Sequence, residues 1–456
     1  MQNSGLLSTG YFGGTFDRLN ISGVLTNLPG SQMLISRVGD VVDVSAMNLP
    51  GELFIGQGAA VNLTNQAGGI TDVPAGFQVV LEGSFVDFLD HTSGLGSLNS
   101  VEGNVQLFGE NLVITPKSGT LTIASPANFE LDGFPMVSST VTVRGSVSNF
   151  GTLITGVDQF GGNRLYISGD LTNNSNATFK LNAAGDLANI GGTVTNANNI
   201  VLAAPGTSLT VGSLVNTAQV FIESDSLLTV KGSVNNSGFI STELTVLGNT
   251  ISTGGLLTNS GTIVLQFNGD QLHAAGGLTN SGSFSVNQGA AVDTPFVNNL
   301  GSIQIDNAST FVVGKGSAIG PGYIQLPNGT LGEMISSSGF GMVNSGGPAI
   351  LDGTLHVLLQ GGFNPTVGST YDFLTFDPGQ LTGTFANIQN DIFNHGTESW
   401  LVTYDNADGV VALTAEKNSA IPEPGTFLLV IPGLIAASCR LRTLRVSRKL
   451  QPPRMI

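Results

Sequence analysis

The sequence has little charge. Asp, Glu, Lys and Arg make up 10% of its 456 residues, against roughly a quarter in ordinary soluble domains. Basic residues are the scarcest. Of fifteen, six (Arg440, Arg442, Arg445, Arg448, Lys449 and Arg454) fall in the last 17 positions. The rest of the chain carries nine basic against 31 acidic residues, a net charge of −22. A body this acidic is repelled by phosphate backbones, which argues against nucleic acid as a partner. Cysteine is nearly absent. A single Cys439 excludes any intrachain disulfide and leaves that residue as a small apolar filler or a point of lipidation. A body free of cysteine suits export without a disulfide framework. Also missing is any sustained apolar pattern at i, i+3, i+4 and i+7, so helices should be scarce.

What is present is glycine, 63 residues of it, with 41% hydrophobic residues. That much apolar content argues against simple disorder. Val, Ile, Leu, Thr and Phe separated by Gly, Asn and Ser suggest short strands joined by tight turns. The segments also repeat. "GSVSNFGTLIT" from Gly145, "GDLTNNSNATFKL" from Gly169, "GTVTNANNIVL" from Gly192 and "GSLVNTAQVFI" from Gly212 share one pattern: Gly, an apolar residue, Asn, a small residue, then a short apolar strand. "GSVNNSGFIST" from Gly232, "GGLLTNSGTIVL" from Gly254, "GGLTNSGSFSV" from Gly276 and "FVNNLGSIQI" from Phe296 continue it. The marker residues are Asn149, Asn174, Asn196, Asn216, Asn236, Asn259, Asn280 and Asn299, spaced 19 to 25 residues apart. "SGVLTNLPGSQMLIS" from Ser22 is a looser copy, and the first 140 residues repeat less clearly.

A period near 20 with strand content means one solenoid turn per repeat. Without a leucine-rich array, the expected fold is an all-β, right-handed parallel β-helix. Gly, Asn and Ser should turn the corners, where they tolerate left-handed backbone angles, and stacked asparagines could form a hydrogen-bonded ladder. Roughly 16 coils spaced about 4.8 Å apart would make a rod on the order of 75 Å long. The expected organisation is a β-helix over 1–345, a β-rich capping segment over 346–416, a linker over 417–425, and a short apolar helix with a basic tail over 426–456. Within the cap, Trp400 to Glu416 should form a hairpin turning at Asn406 to Gly409. Such a cap would cover the last coil, whose open edge invites aggregation.

Signals for catalysis are few. His91, His273, His356 and His395 are scattered, with no metal-binding spacing, and there is no GxSxG or phosphate-binding loop. The expectation is no cofactor and no metal. "ESDS" at Glu223 to Ser226 and "DFLD" at Asp87 to Asp90 could pair carboxylates for a glycosidase, but both have the composition of solvated turns. The Asn-x-Gly array could bind a ligand or simply make turns. "NLT" at Asn62 and "NAT" at Asn176 match glycan-acceptor sequons, as chance allows in a chain rich in Asn and Thr. Thr-x-Thr pairs in "GTLTIAS" and "STVTVRG" raise ice binding, but these pairs do not recur at the coil period.

The C-terminus has a different character. Pro422, Glu423, Pro424 and Gly425 follow a polar linker, and the two prolines keep Glu423 extended and accessible. An apolar stretch of about 13 residues follows, through Phe427, Leu428, Leu429, Val430, Ile431, Leu434 and Ile435, shorter than the ~20 needed to span a bilayer. The cluster of Arg440, Arg442, Arg445, Arg448 and Lys449 would hold its end on the cytoplasmic side. Motif, short apolar segment and basic end, in that order, resemble the PEP-CTERM sorting signal, a segment also catalogued as an ice-binding-protein C-terminal domain. Pro432 inside the apolar stretch and "QPPRMI" beyond the basic cluster depart mildly from the pattern. The resemblance implies recognition by an exosortase, a membrane-embedded protease-transpeptidase of exopolysaccharide-making Gram-negative bacteria. It also implies passage through the inner membrane to the cell surface or biofilm matrix. The opening "MQNSGLLSTGYFGG" lacks the basic and apolar regions of a secretory signal, so the expectation for an exported protein is that this chain lacks its true start. The body is expected to be a non-catalytic structural or adhesin-like rod that contacts exopolysaccharide or other surface glycans. The alternatives are a polysaccharide lyase or hydrolase and an ice-binding protein.

Overall fold

The computed structural model describes residues 1–9, 17–48, 51–66, 68–82, 94–133, 137–157, 160–243, 248–314 and 322–418. In the repeated part each coil lays down three short strands, one on each of three faces. In one coil these are Thr140–Val143 on face 1, Ser146–Asn149 on face 2 and Thr152–Thr155 on face 3. All three alternate half-exposed and buried residues, as period-2 side chains require. The next coil repeats them as Arg164–Ile167, Leu171–Asn173 and Thr178–Leu181, paired in parallel with the first set.

Face 3 is an unbroken parallel sheet from Leu6–Thr9 at one end to Asn387–Gln389 at the other. Its register stacks like on like. Leu153, Phe179, Ile200, Val220, Ile240, Ile263, Phe284, Ile303, Leu331 and Leu355 form one interior column. All ten are almost completely buried. Burial of each such side chain stabilises by about 1.5–3 kcal/mol, and the sum along the column holds the coils together. This is the expected all-β parallel β-helix.

The corners use glycine in a way the expectation missed. Those in Asn-x-Gly, such as Gly238, Gly261, Gly282 and Gly301, do not have positive φ. Glycine is needed there because adjacent coils approach too closely for a side chain. A Cβ on Gly261 would lie 2.1 Å from the Gly238 carbonyl oxygen, and one on Gly282 would lie 2.1 Å from that of Gly261. Where the same corner carries Asn198 or Ala218, the backbone N–H turns inward to Oδ1 of its own Asn196 or Asn216. At Gly238, Gly261, Gly282 and Gly301 it bonds instead to the Asn carbonyl of the preceding coil, while Gly151 keeps the bond to Oδ1 of its own Asn149.

The parallel pattern gives way near the C-terminus. Thr370–Thr375 pairs antiparallel with Val410–Lys417, which also forms a hairpin with Glu398–Asp405. Phe373, Phe385 and Trp400 are buried in this β-rich segment. Among the described residues the helical content is one 3₁₀ turn, Asn394–Gly396, and no helix is long and apolar enough to cross a membrane. The expected apolar helix in 426–456 lies outside the described residues.

Candidate interaction surfaces

The repeated asparagines point inward. Asn149, Asn173, Asn196, Asn216, Asn236, Asn259, Asn280 and Asn299 are at most 2% exposed. Each donates through Nδ2 to Oδ1 of the next asparagine, at 2.7 to 2.9 Å. Asn299 ends the series on Gln325 Oε1, which also accepts the buried Tyr323 hydroxyl. Each Nδ2 also donates to a face 3 carbonyl of the next coil, as Asn149 does to Thr178 and Asn259 to Ser283. Asparagines bonded to their neighbours on both sides can sit in an apolar core at little cost. The column is closed to ligands, so the Asn-x-Gly array serves the turns and the stacking. One marker is corrected: Asn173, not Asn174, occupies the ladder. Strand alternation turns Leu171 and Asn173 inward and Thr172 outward. Asn174 instead caps the corner, donating to the Asn149 carbonyl.

A second buried polar column runs where face 3 turns into face 1. Asp186 accepts from the Thr155 hydroxyl at 2.6 Å and from the Asn163 and Ala183 amides. Asp270 repeats the arrangement with Thr242, Asn249 and Phe267. Burial raises the pKa of Asp186, and these hydrogen bonds offset part of the rise. Glu110 lies in the same column, and burial pushes its carboxyl up to about 8. Glu333, fully buried further along the rod, is raised well above the usual carboxylate range, first by burial and then by the nearby Asp306. No group of three or more His, Cys, Asp or Glu side chains is placed to hold a metal ion among the described residues.

The sequence candidates are dispersed. In "ESDS", Ser224 and Asp225 adopt left-handed angles at a corner, and Ser226 is buried against the Thr207 hydroxyl. That is turn chemistry. His273 faces Asp293 of the next coil at 3.8 Å, and His356 meets Asn390 at 2.9 Å. These two histidines lie on faces 1 and 3 respectively. Asp87 to Asp90, His91, Cys439, the Pro422 to Gly425 motif, Phe427 to Ile435 and the Arg440 to Lys449 cluster lie outside the described residues.

Two outward features have no counterpart in the expectations. On face 2 the residue before each ladder asparagine points outward. In register these are Ser148, Thr172, Thr195, Val215, Asn235, Thr258, Thr279 and Asn298, preceded in the same column by Ser100 and Thr122, which stand before Val101 and Ile123. Threonine takes five of these ten positions (Thr122, Thr172, Thr195, Thr258 and Thr279), three of them as the middle residue of Leu-Thr-Asn. On face 3, close to the N-terminal end, a trough of about 270 Å³ opens over Gln32, Glu52 and Gln78 and is floored by glycines.

No family model matches the chain, and no curated protein does. Among solved structures the chain is similar to the Haemophilus influenzae Hap adhesin, at 14% identity and a TM-score of 0.22. The match covers 91% of this chain and 59% of that one. The β-helix assignment rests on the strand register above, not on this likeness.

Proposed function

We propose that the chain is an exported structural or adhesin-like rod of the cell surface or extracellular matrix, delivered by a C-terminal PEP-CTERM signal. The observation that carries this reading is the order of Pro422-Glu423-Pro424, a short apolar stretch and an arginine cluster at the C-terminus. In this reading an exosortase recognises the Pro-Glu-Pro segment while the apolar stretch pauses the chain in the inner membrane. The body then acts passively. A long solenoid presents many equivalent polar positions, and weak contacts to exopolysaccharide or other surface glycans add up through multivalency. No catalysis is needed. The test is the intact mass and cell fraction of the protein in its own cells, with and without the exosortase. Loss of the tail near Pro422 to Gly425 and recovery at the surface, both exosortase-dependent, support the reading. A full-length chain in the inner membrane of both strains would refute it.

A second reading, ice binding, is supported by the face 2 column of Thr, Ser and Asn at coil spacing. Thermal hysteresis of the purified chain, lost when Thr172 and Thr195 are replaced by lysine, would favour it over the adhesive rod.

A further inference from the structure

The trough on face 3 is built by three successive coils. Gln32, Glu52 and Gln78 are in register and face outward. Gln32 Nε2 donates to Glu52 Oε2 at 2.7 Å, which fixes the carboxylate at the centre. Gly30 and Gly76 have φ of +76° and +77°, and a Cβ at either would meet nothing within 4 Å, so they leave the trough open. Phe54 lies beside Glu52 on the same outward side, half-buried, and Leu34 precedes it in register. Carboxamides continue the column as Asn104 and Asn128.

This combination has a chemical meaning. Carboxylate and carboxamide groups match the donor and acceptor pairs of sugar hydroxyls, and an aromatic and aliphatic strip beside them matches the apolar face of a sugar ring. The positions repeat once per coil, about 4.8 Å apart, close to the step of an extended β-linked glycan. Glu52 carries the one charge in the trough, within a body of net charge −22. Polyanions are therefore disfavoured.

The geometry points to a binding track for a neutral glycan chain on face 3 of the N-terminal coils, one sugar per coil, with the trough over Glu52 as its main subsite. It rests on the glycan-contacting reading of the rod and is independent of the sorting tail. Glu52 accepts from hydroxyls of the central sugar, Gln32 and Gln78 bond its neighbours, and Phe54 packs against a ring face.

The test is saturation-transfer NMR on the full chain with two probes, cellohexaose and hexagalacturonate. Cellohexaose should show saturation transfer and hexagalacturonate should not. Glu52→Ala and Gly76→Asn, which fills the trough from an open left-handed position, should each weaken cellohexaose binding at least ten-fold with unchanged circular dichroism. Gln78→Ala serves if the Gly76 variant does not fold. Thr195→Ala, on face 2, should leave binding unchanged. Equal binding by wild type and the trough variants would overturn the site while leaving a glycan-binding rod. Binding of the acidic probe as tight as the neutral one would overturn the ligand class. No saturation transfer from either probe would overturn the site and the glycan reading together.

Discussion

Replacing Asn259 by alanine tests whether the buried amide column holds adjacent coils together. In the wild-type rod Asn259 Nδ2 donates to Asn280 Oδ1 at 2.8 Å and to the Ser283 carbonyl at 3.0 Å, and its Oδ1 accepts from Asn236 at 2.7 Å. The side chain is fully buried, so no water replaces it without rearrangement. The substitution leaves three polar groups one partner short. Asn236 keeps its bond to the Thr262 carbonyl, which softens the loss on that side. At about 1–3 kcal/mol per buried group left unpaired, the expected cost is about 3–5 kcal/mol. Asn259→Asp should cost at least as much, because a carboxylate accepts but cannot donate to Asn280. The control is Asn298→Ala, on the outward column of face 2, with an expected effect within about 0.5 kcal/mol. A solenoid need not unfold in one step, so the assay is hydrogen exchange read coil by coil under native conditions. Protection should fall across residues 236–283 and recover outside them. An Asn259→Ala cost below about 1 kcal/mol, or one equal to that of Asn298→Ala, would refute the reasoning.

Other outcomes follow from the same geometry. Gly261→Ala should destabilise by about 1–3 kcal/mol through overpacking against the Gly238 carbonyl, while Ala218→Gly, at an equivalent corner, should change the melting midpoint little. Glu110 ionises near pH 4.5 when unfolded and near 8 when folded. The unfolded chain thus releases its proton first, and stability falls as pH rises between those values, by at most about 1.4 kcal/mol per pH unit. Urea melts at pH 5 and 7.5 should show this loss in the wild type and a flatter profile in Glu110→Gln. Glu333→Gln should likewise stabilise the C-terminal coils more at pH 8 than at pH 5, as read by hydrogen exchange over residues 330–359.

The solenoid was legible because Asn-x-Gly returns once per coil and apolar residues alternate between the markers. The period faded before residue 140 for a physical reason. A pair of laddered asparagines, Asn3 and Asn27, is present at the N-terminal end, but Val101 and Ile123 then fill the ladder position. The stacking persists there while the marker is gone. Asn173 and Asn174 differ by one residue, which is enough to move a side chain to the other face of a strand, and the sequence pattern alone does not separate them. Left-handed angles do explain glycine at the turns into face 1, as at Gly185 and Gly206, but not at Asn-x-Gly. Local backbone angle is a property of one residue, whereas the clash of a Cβ with the preceding coil appears only once coils stack. The threonine column has no single motif: Thr172, Thr258 and Thr279 sit in Leu-Thr-Asn, Thr122 and Thr195 close Thr-x-Thr, and Val215 and Asn235 interrupt the series. The trough had no sequence signal at all, since Gln32, Glu52 and Gln78 come together only through register.

The asparagine ladder also makes the rod's length adjustable. Every rung is joined to the next by the same bonds, so two rungs not normally adjacent can be joined as well. Deleting residues 217–236 would connect Asn216 directly to Ser237 and so to an intact corner and face 3 strand. The asparagine ladder would stay complete, with Asn216 donating to Asn259, while in the second column Thr207 would meet Asn249 in place of Ser226. The molecule can thus gain or lose reach in steps of about 4.8 Å without redesign of its interior. Whatever stands at its two ends can be set closer together or farther apart by changing only the number of turns between them.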